Sequence, residues 1–264
     1  MVNTFLTSSD YKESAKNLDN ARLGKQRVEA YQILTLIENL SLLSRLYNIP
    51  IPFNPYLRRD WIRRVVSKYN NSGKYLFYHQ NTWVWISAKT KPYIPKSNEN
   101  TIVQHDGSIL VCKHTKRTHT KTLYPKFGVV LKTDRLITFG FVYHPAVLMW
   151  LCHNESLKEY INAHIEEWIG RGHKNTMKTY DIDISNNIKP IWVTDPEIHI
   201  NHKAALYIKE IKRNEYPWYC RKPDFVEAGN HYLNLSNNEL KNESTSDFNY
   251  YIWPFNTDDG RYQF

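Results

Sequence analysis

Three kinds of group lie close together between Met1 and Leu36: a free chain end, a run of cations and one carboxylate. Val2 is small enough to favour trimming of Met1, so the chain is expected to open on the α-amine of Val2. An α-amine titrates near ~8 against ~10.4 for a lysine, so near neutral pH its nucleophilic fraction is larger by roughly two orders of magnitude. Such an amine forms a Schiff base with an aldehyde carbon without first being buried. Downstream, Arg22, Lys25, Gln26 and Glu29 fall in a sector about 100° wide on one helix face, and Arg27 points away from it. A carboxylate among cations is held ionised, which suits proton transfer beside a bound phosphate. The same spacing also describes a solvated helix face carrying i,i+4 ion pairs.

The elements that must position these groups are legible in outline. Asp10 followed by Glu13 reads as a capping box opening a short helix over Tyr11 to Asn17, and Asp19 or Asn20 caps a longer one reaching about Tyr47. Along it Leu23, Ala30, Leu34, Ile37 and Leu40 recur at core spacing, with Gly24 lowering helicity near the start. Asn54-Pro55 opens a helix through about Tyr69, with Leu57, Trp61 and Val65 as its apolar stripe. Arg59 with Arg63, and Arg64 with Lys68, line the edges of that helix, either as candidate phosphate-backbone contacts or as the ordinary basic flanks of an amphipathic helix. The aromatic, β-branched run Lys74 to Ile86 reads as two strands, followed by strands at Ser108–Cys112, Gly128–Lys132 and Leu136–Phe141, the last two joined at Thr133-Asp134. Pro145 opens a helix over Ala146 to His153. Another over Ser156 to Arg171 puts Leu157, Tyr160, Ile161, His164, Ile165 and Trp168 on one face, with His164 read as a core histidine. Asp195-Pro196 starts a helix to about Arg213; Ser236 to Asp247 reads as a polar loop, after which Tyr250 to Phe255 packs back on the core.

Several segments together resemble the phage-type endonuclease V family of pyrimidine-dimer DNA glycosylases, in its cellular branch. They are Asn3-Thr4-Phe5-Leu6, Ser14-Ala15-Lys16-Asn17-Leu18-Asp19, and Arg22-Leu23-Gly24-Lys25-Gln26-Arg27-Val28-Glu29. In the same order follow His144-Pro145-Ala146-Val147-Leu148-Met149-Trp150, Glu167-Trp168 with Arg171-Gly172-His173, His199 to Lys203, and Tyr251-Ile252-Trp253-Pro254. The resemblance implies a glycosylase with AP-lyase activity, in which the N-terminal amine attacks deoxyribose C1′, the damaged base leaves, and β-elimination from the imine cuts the strand. It implies Val2 as nucleophile, Glu29 as the glutamate that stabilises the sugar cation and moves protons, Arg22 and Arg27 as phosphate or sugar contacts, and His144 as a pocket residue. The phage pattern sets its arginine and glutamate side by side, whereas here Val28 separates Arg27 from Glu29.

Composition agrees with an anionic partner. The 264 residues carry a formal charge of +9, with 8 Trp and 19 Tyr interleaved among the cations, which ranks nucleic acid above membrane. No acidic residue lies between Gly107 and Thr133, while Lys113, Lys116, Arg117, Lys121, Lys126 and Lys132 do, so this block attracts phosphate or is a solvated loop. His199 and His202 have a His-x-x-His spacing without a nearby third ligand, so no metal is expected, and His202 with Lys203 is read as contacting DNA or sugar. Cys112, Cys152 and Cys220 have no paired spacing, which points to reduced thiols in an intracellular protein. No apolar run reaches membrane-spanning length. The expected fold is mainly α: a helical core over residues 1–45 and 140–264, interrupted by a basic, β-rich (α+β) insertion over 46–139. The expected partner is double-stranded DNA with a damaged base, pyrimidine dimers above all, with no cofactor. The alternatives are a non-catalytic nucleic-acid-binding protein on the same scaffold and a glycosylase for another modified base.

Overall fold

The computed structural model describes residues 4–87, 92–96, 98–115, 118–125, 127–131, 135–211 and 222–239. Val2, Lys116, Arg117, the Thr133-Asp134 turn and Tyr250 to Phe255 therefore lie outside the described residues, as does most of Ser236 to Asp247. Seven α-helices are described, α1 (Tyr11–Lys16), α2 (Asn20–Tyr47), α3 (Arg58–Asn70), α4 (Pro145–Trp150), α5 (Asn154–Gly170), α6 (Pro196–Ile211) and α7 (Pro223–Glu239). Six strands lie between α3 and α4: β1 (Lys74–His79), β2 (Thr82–Ser87), β3 (Glu99–Val103), β4 (Ile109–His114), β5 (His119–Tyr124) and β6 (Arg135–Leu136). The content is mixed α and β, with helices in the majority. Among the described residues no helix is long and apolar enough to cross a membrane.

By compactness the chain divides into two units, one of residues 1–41, 51–59 and 141–264, the other of 42–50 and 60–140. In the first, Asp10 caps α1, its Oδ1 accepting from Lys12 N (2.7 Å) and Glu13 N (3.2 Å). The Asp10 N–H donates to Ser8 Oγ, so Ser8 takes the reciprocal place expected of Glu13. Asp19 caps α2, its carboxylate accepting from Arg22 N at 2.8 Å. The stripe Leu23, Ala30, Leu34, Ile37 and Leu40 is buried as its spacing requires. α1 docks on α5, where Tyr11 Oη and Ser156 Oγ lie 2.6 Å apart. α6 and α7 pack so closely that a Cβ on Gly229 would come 2.0 Å from Tyr207 Cδ1, so glycine alone fits there without moving the ring.

The second unit holds α3 and two three-stranded antiparallel sheets, β2-β1-β6 and β3-β4-β5. On α3, Trp61 and Val65 are buried with Ile62, Val66 and Tyr69, whereas Leu57 is exposed and not part of the stripe. The Trp61 indole donates to Ile49 O at 3.0 Å. Ile109, Val111 and Val129 form a small core with Tyr93, Tyr124 and Leu131. The expected strand at Gly128–Lys132 supplies only an isolated bridge, Tyr93 to Val129, and that at Leu136–Phe141 shortens to β6. β3 and β5, absent from the sequence reading, are built on ENTIV and HTKTLY, whose polar residues mask the alternation. Their pairing is set by β4, the apolar strand between them.

A candidate active site at the N-terminal segment

Residues Thr4 to Thr7 form a short buried segment held by five helices. Thr4 Oγ1 accepts from the Trp150 indole of α4 at 2.8 Å. Phe5 N donates to Gln26 Oε1 of α2 at 2.7 Å, and Phe5 O accepts from Tyr160 Oη of α5 at 2.9 Å. Leu6 N donates to His202 Nδ1 of α6 at 2.8 Å, and Thr7 N donates to Ser14 Oγ of α1 at 3.0 Å. An isolated extended chain has no ladder to satisfy its polar groups, so these side chains replace one. The helices thereby fix the backbone that immediately follows the chain end.

Gln26, 1% exposed, is the junction of this network. Its Oε1 also accepts from Tyr160 Oη at 3.0 Å, and its Nε2 donates to Glu29 Oε2 at 3.1 Å. Only one amide group separates these bonds, so Phe5 N and the half-buried Glu29 carboxylate are no more than about 8 Å apart. Tyr160 is fully buried, and burial first, then the nearby Glu29 and Tyr11, hold its phenol well above the ordinary range, so it acts as a hydrogen-bond donor. His164 stacks on the Tyr160 ring at 3.9 Å and bonds Tyr160 O through Nδ1; burial brings its pKa down to about 4. The chemistry available here is a half-buried carboxylate tied by one side chain to the backbone leading to the terminus.

The cations divide differently from the helical wheel. Lys25 is exposed, but Arg22 is buried and Arg27 is 8% exposed. Arg27 stacks on Trp168, 4.1 Å from its centroid, with His173 stacked on that indole at 4.0 Å, and donates from Nη1 to Asn175 Oδ1 at 2.9 Å. Burial lowers its pKa. Both arginine side chains are packed within the first unit, and Trp168 and Asn175, from α5 and the segment after it, hold that of Arg27.

His202 is enclosed as well. It is fully buried, its Nδ1 accepts from Leu6 N, and burial first, with His199 next, depresses its pKa to about 3. It supports the N-terminal segment through this bond. Lys203 is half-buried, paired with Asp224 at 2.8 Å and 5.9 Å above the Phe225 ring, so it is engaged with α7. His199 bonds Val193 O through Nε2 at 2.8 Å. His144 is half-buried and caps α4, its Nδ1 accepting from Ala146 N at 3.2 Å, and burial lowers its pKa. Arg59, Arg64 and Lys121 are exposed, and Arg63 is exposed while paired with Asp60 at 2.9 Å. Among the described residues no three His, Cys, Asp or Glu side chains gather as a metal site.

Gln26 and Tyr160 have no place in the sequence-derived site. Gln26 shares the helical sector of Glu29, a usable signal, but Tyr160 reads only as one more apolar-stripe residue. The model of a family described as pyrimidine dimer DNA glycosylase matches residues 2–95 and 98–181. No curated protein and no solved structure gives a significant match. The family match takes in Thr4 to Thr7, Gln26, Glu29, Trp150 and Tyr160, runs through nearly all of 46–139, and ends before α6. Covering about two thirds of its length, this match shows that the chain belongs to the pyrimidine dimer DNA glycosylase family.

Proposed function

We propose that this family member excises damaged pyrimidines from duplex DNA and then cuts the strand as an AP lyase, using the α-amine of Val2 as nucleophile and Glu29 as proton-transfer group. The observation that carries this reading is the Phe5–Gln26–Glu29 chain of hydrogen bonds, which ties the carboxylate to the backbone just behind the terminus. In the reaction the amine lone pair forms the bond to C1′, and the base departs with the electron pair of the glycosidic bond that breaks. Loss of the nitrogen proton and opening of the ring at O4′ leave an imine. Removal of a C2′ proton then expels the 3′ phosphate by β-elimination. Glu29 stabilises the developing sugar cation and accepts protons, the roles a positioned carboxylate fills in such chemistry. The lesion must leave the stack, or its partner must, to expose C1′; distortion by the lesion offsets part of the few kcal/mol required. The exposed cations Lys25, Arg59, Arg63, Arg64 and Lys121 supply phosphate attraction in this reading.

The test is borohydride trapping on duplexes carrying a cyclobutane dimer or an abasic site, with native protein beside protein whose terminal amine is blocked. A covalent adduct that disappears on blocking supports the proposal, and mass spectrometry of the adduct identifies Val2 or Met1 as the attachment point. Salt-sensitive binding without any adduct would replace it with a DNA-binding role on the same scaffold.

A further inference from the structure

We propose that Gln26 is a positioning residue with two separable tasks: its oxygen anchors the N-terminal segment, and its nitrogen orients Glu29. The inference rests on the amine–carboxylate reading above and extends it to a residue on α2 and its partner on α5. Gln26 Oε1 receives two donors, Phe5 N at 2.7 Å and Tyr160 Oη at 3.0 Å. A reversed amide would point N–H groups at both donors, so the orientation is dictated by its surroundings. Nε2 must then face Glu29 Oε2, where it lies at 3.1 Å. Tyr160 is bound into the same decision, since its single hydroxyl proton is shared between Gln26 Oε1 and Phe5 O, the latter at 2.9 Å. The phenol thus couples backbone and amide, and the titratable groups hydrogen-bonded to the amide are Tyr160 and Glu29.

The two tasks come apart in Gln26→Glu. A carboxylate at this position still accepts from Phe5 N and Tyr160 Oη, so the segment stays anchored, but the donor toward Glu29 becomes a like charge. Expected at pH 8 is a trapping rate at least about tenfold below native, with affinity for abasic duplex within about threefold. The deficit shrinks as pH falls, because a protonated Glu at position 26 again supplies an O–H to Glu29. A purely structural role predicts a deficit that does not change with pH. Gln26→Leu removes both tasks and is expected to lower the melting temperature as well as the rate, while Tyr160→Phe keeps the packed ring, removes one of the two donors that hold the amide and gives an intermediate rate. Melting curves of all three variants separate folding from chemistry. If native protein traps and Gln26→Glu traps equally fast, or is slowed by the same factor from pH 5.5 to 8.5, the inference is overturned while the amine mechanism stands. If native protein gives no adduct, the mechanism falls and this inference with it.

Discussion

The N-terminal segment and the β4–β5 hairpin treat polar groups in opposite ways. Around Thr4 to Thr7 every named polar partner is buried and bonded, including Gln26, Tyr160 and His202. On β5, by contrast, His119, Thr120, Lys121, Thr122 and Leu123 are all exposed. Buried hydrogen bonds are directional and insensitive to salt, whereas exposed cations act at a distance and are screened. The first arrangement suits holding reacting groups within an ångström. The second suits attracting a polyanion without dictating its pose.

This contrast breaks most visibly at Glu29. Glu29→Gln is expected to slow adduct formation by about two to four orders of magnitude, the usual weight of a positioned proton-transfer group, with duplex binding preserved in gel-shift titrations. A variant as fast as native would remove the carboxylate from the chemistry.

Acid should separate the buried network next. His202 and His164 are neutral in the fold, with pKa values of about 3 and about 4, against 6.5 as the ordinary value. Below 6.5 the unfolded chain takes up protons that the folded chain refuses, so stability is present above that value and falls as pH drops towards 4 and then 3. The combined loss is of the order of several kcal/mol. Urea midpoints measured from pH 7 to 4.5 should decline steadily; a flat series would mean that these imidazoles are protonated or solvent-accessible in the native state.

Salt probes the other region. Replacing Lys121 by Ala is expected to reduce the slope of log affinity against log salt by roughly 0.9 if the lysine neutralises one phosphate, leaving the single-turnover rate of bound complex unaltered. Arg64→Ala should behave similarly. An unchanged salt slope would place these cations off the DNA.

The smallest expected effect is at Gly24. A Cβ there would lie 3.2 Å from Trp168 Cζ3, and that indole is held between Arg27 and His173. The helix-propensity gain of about 1 kcal/mol is therefore largely offset, and Gly24→Ala should change stability by less than about 1 kcal/mol, read from thermal melts. A stabilisation of the full propensity gain would show that the Trp168 stack yields freely.

The chain's own pattern settled a good deal. Periodicity placed α2, α3 and α5; Asp10, Asn54-Pro55 and Asp195-Pro196 marked helix starts through local capping; and the apolar run at Lys74 to Ile86 announced β1 and β2. These are short-range effects, decided by residues within a turn of one another. Glu29 was singled out by the family resemblance, since its spacing alone describes a solvated, ion-paired helix face equally well. What the wheel could not show is which face of α2 meets another helix. Gln26 and Arg27 are buried because α5 and the segment after it supply Tyr160, Trp168 and Asn175, residues more than a hundred positions away. His202 is likewise bonded by Leu6 N, from the far end of the sequence. Long-range hydrogen bonds of this kind leave no periodic trace, since each is a single pairing between distant residues that only the tertiary fold brings into reach.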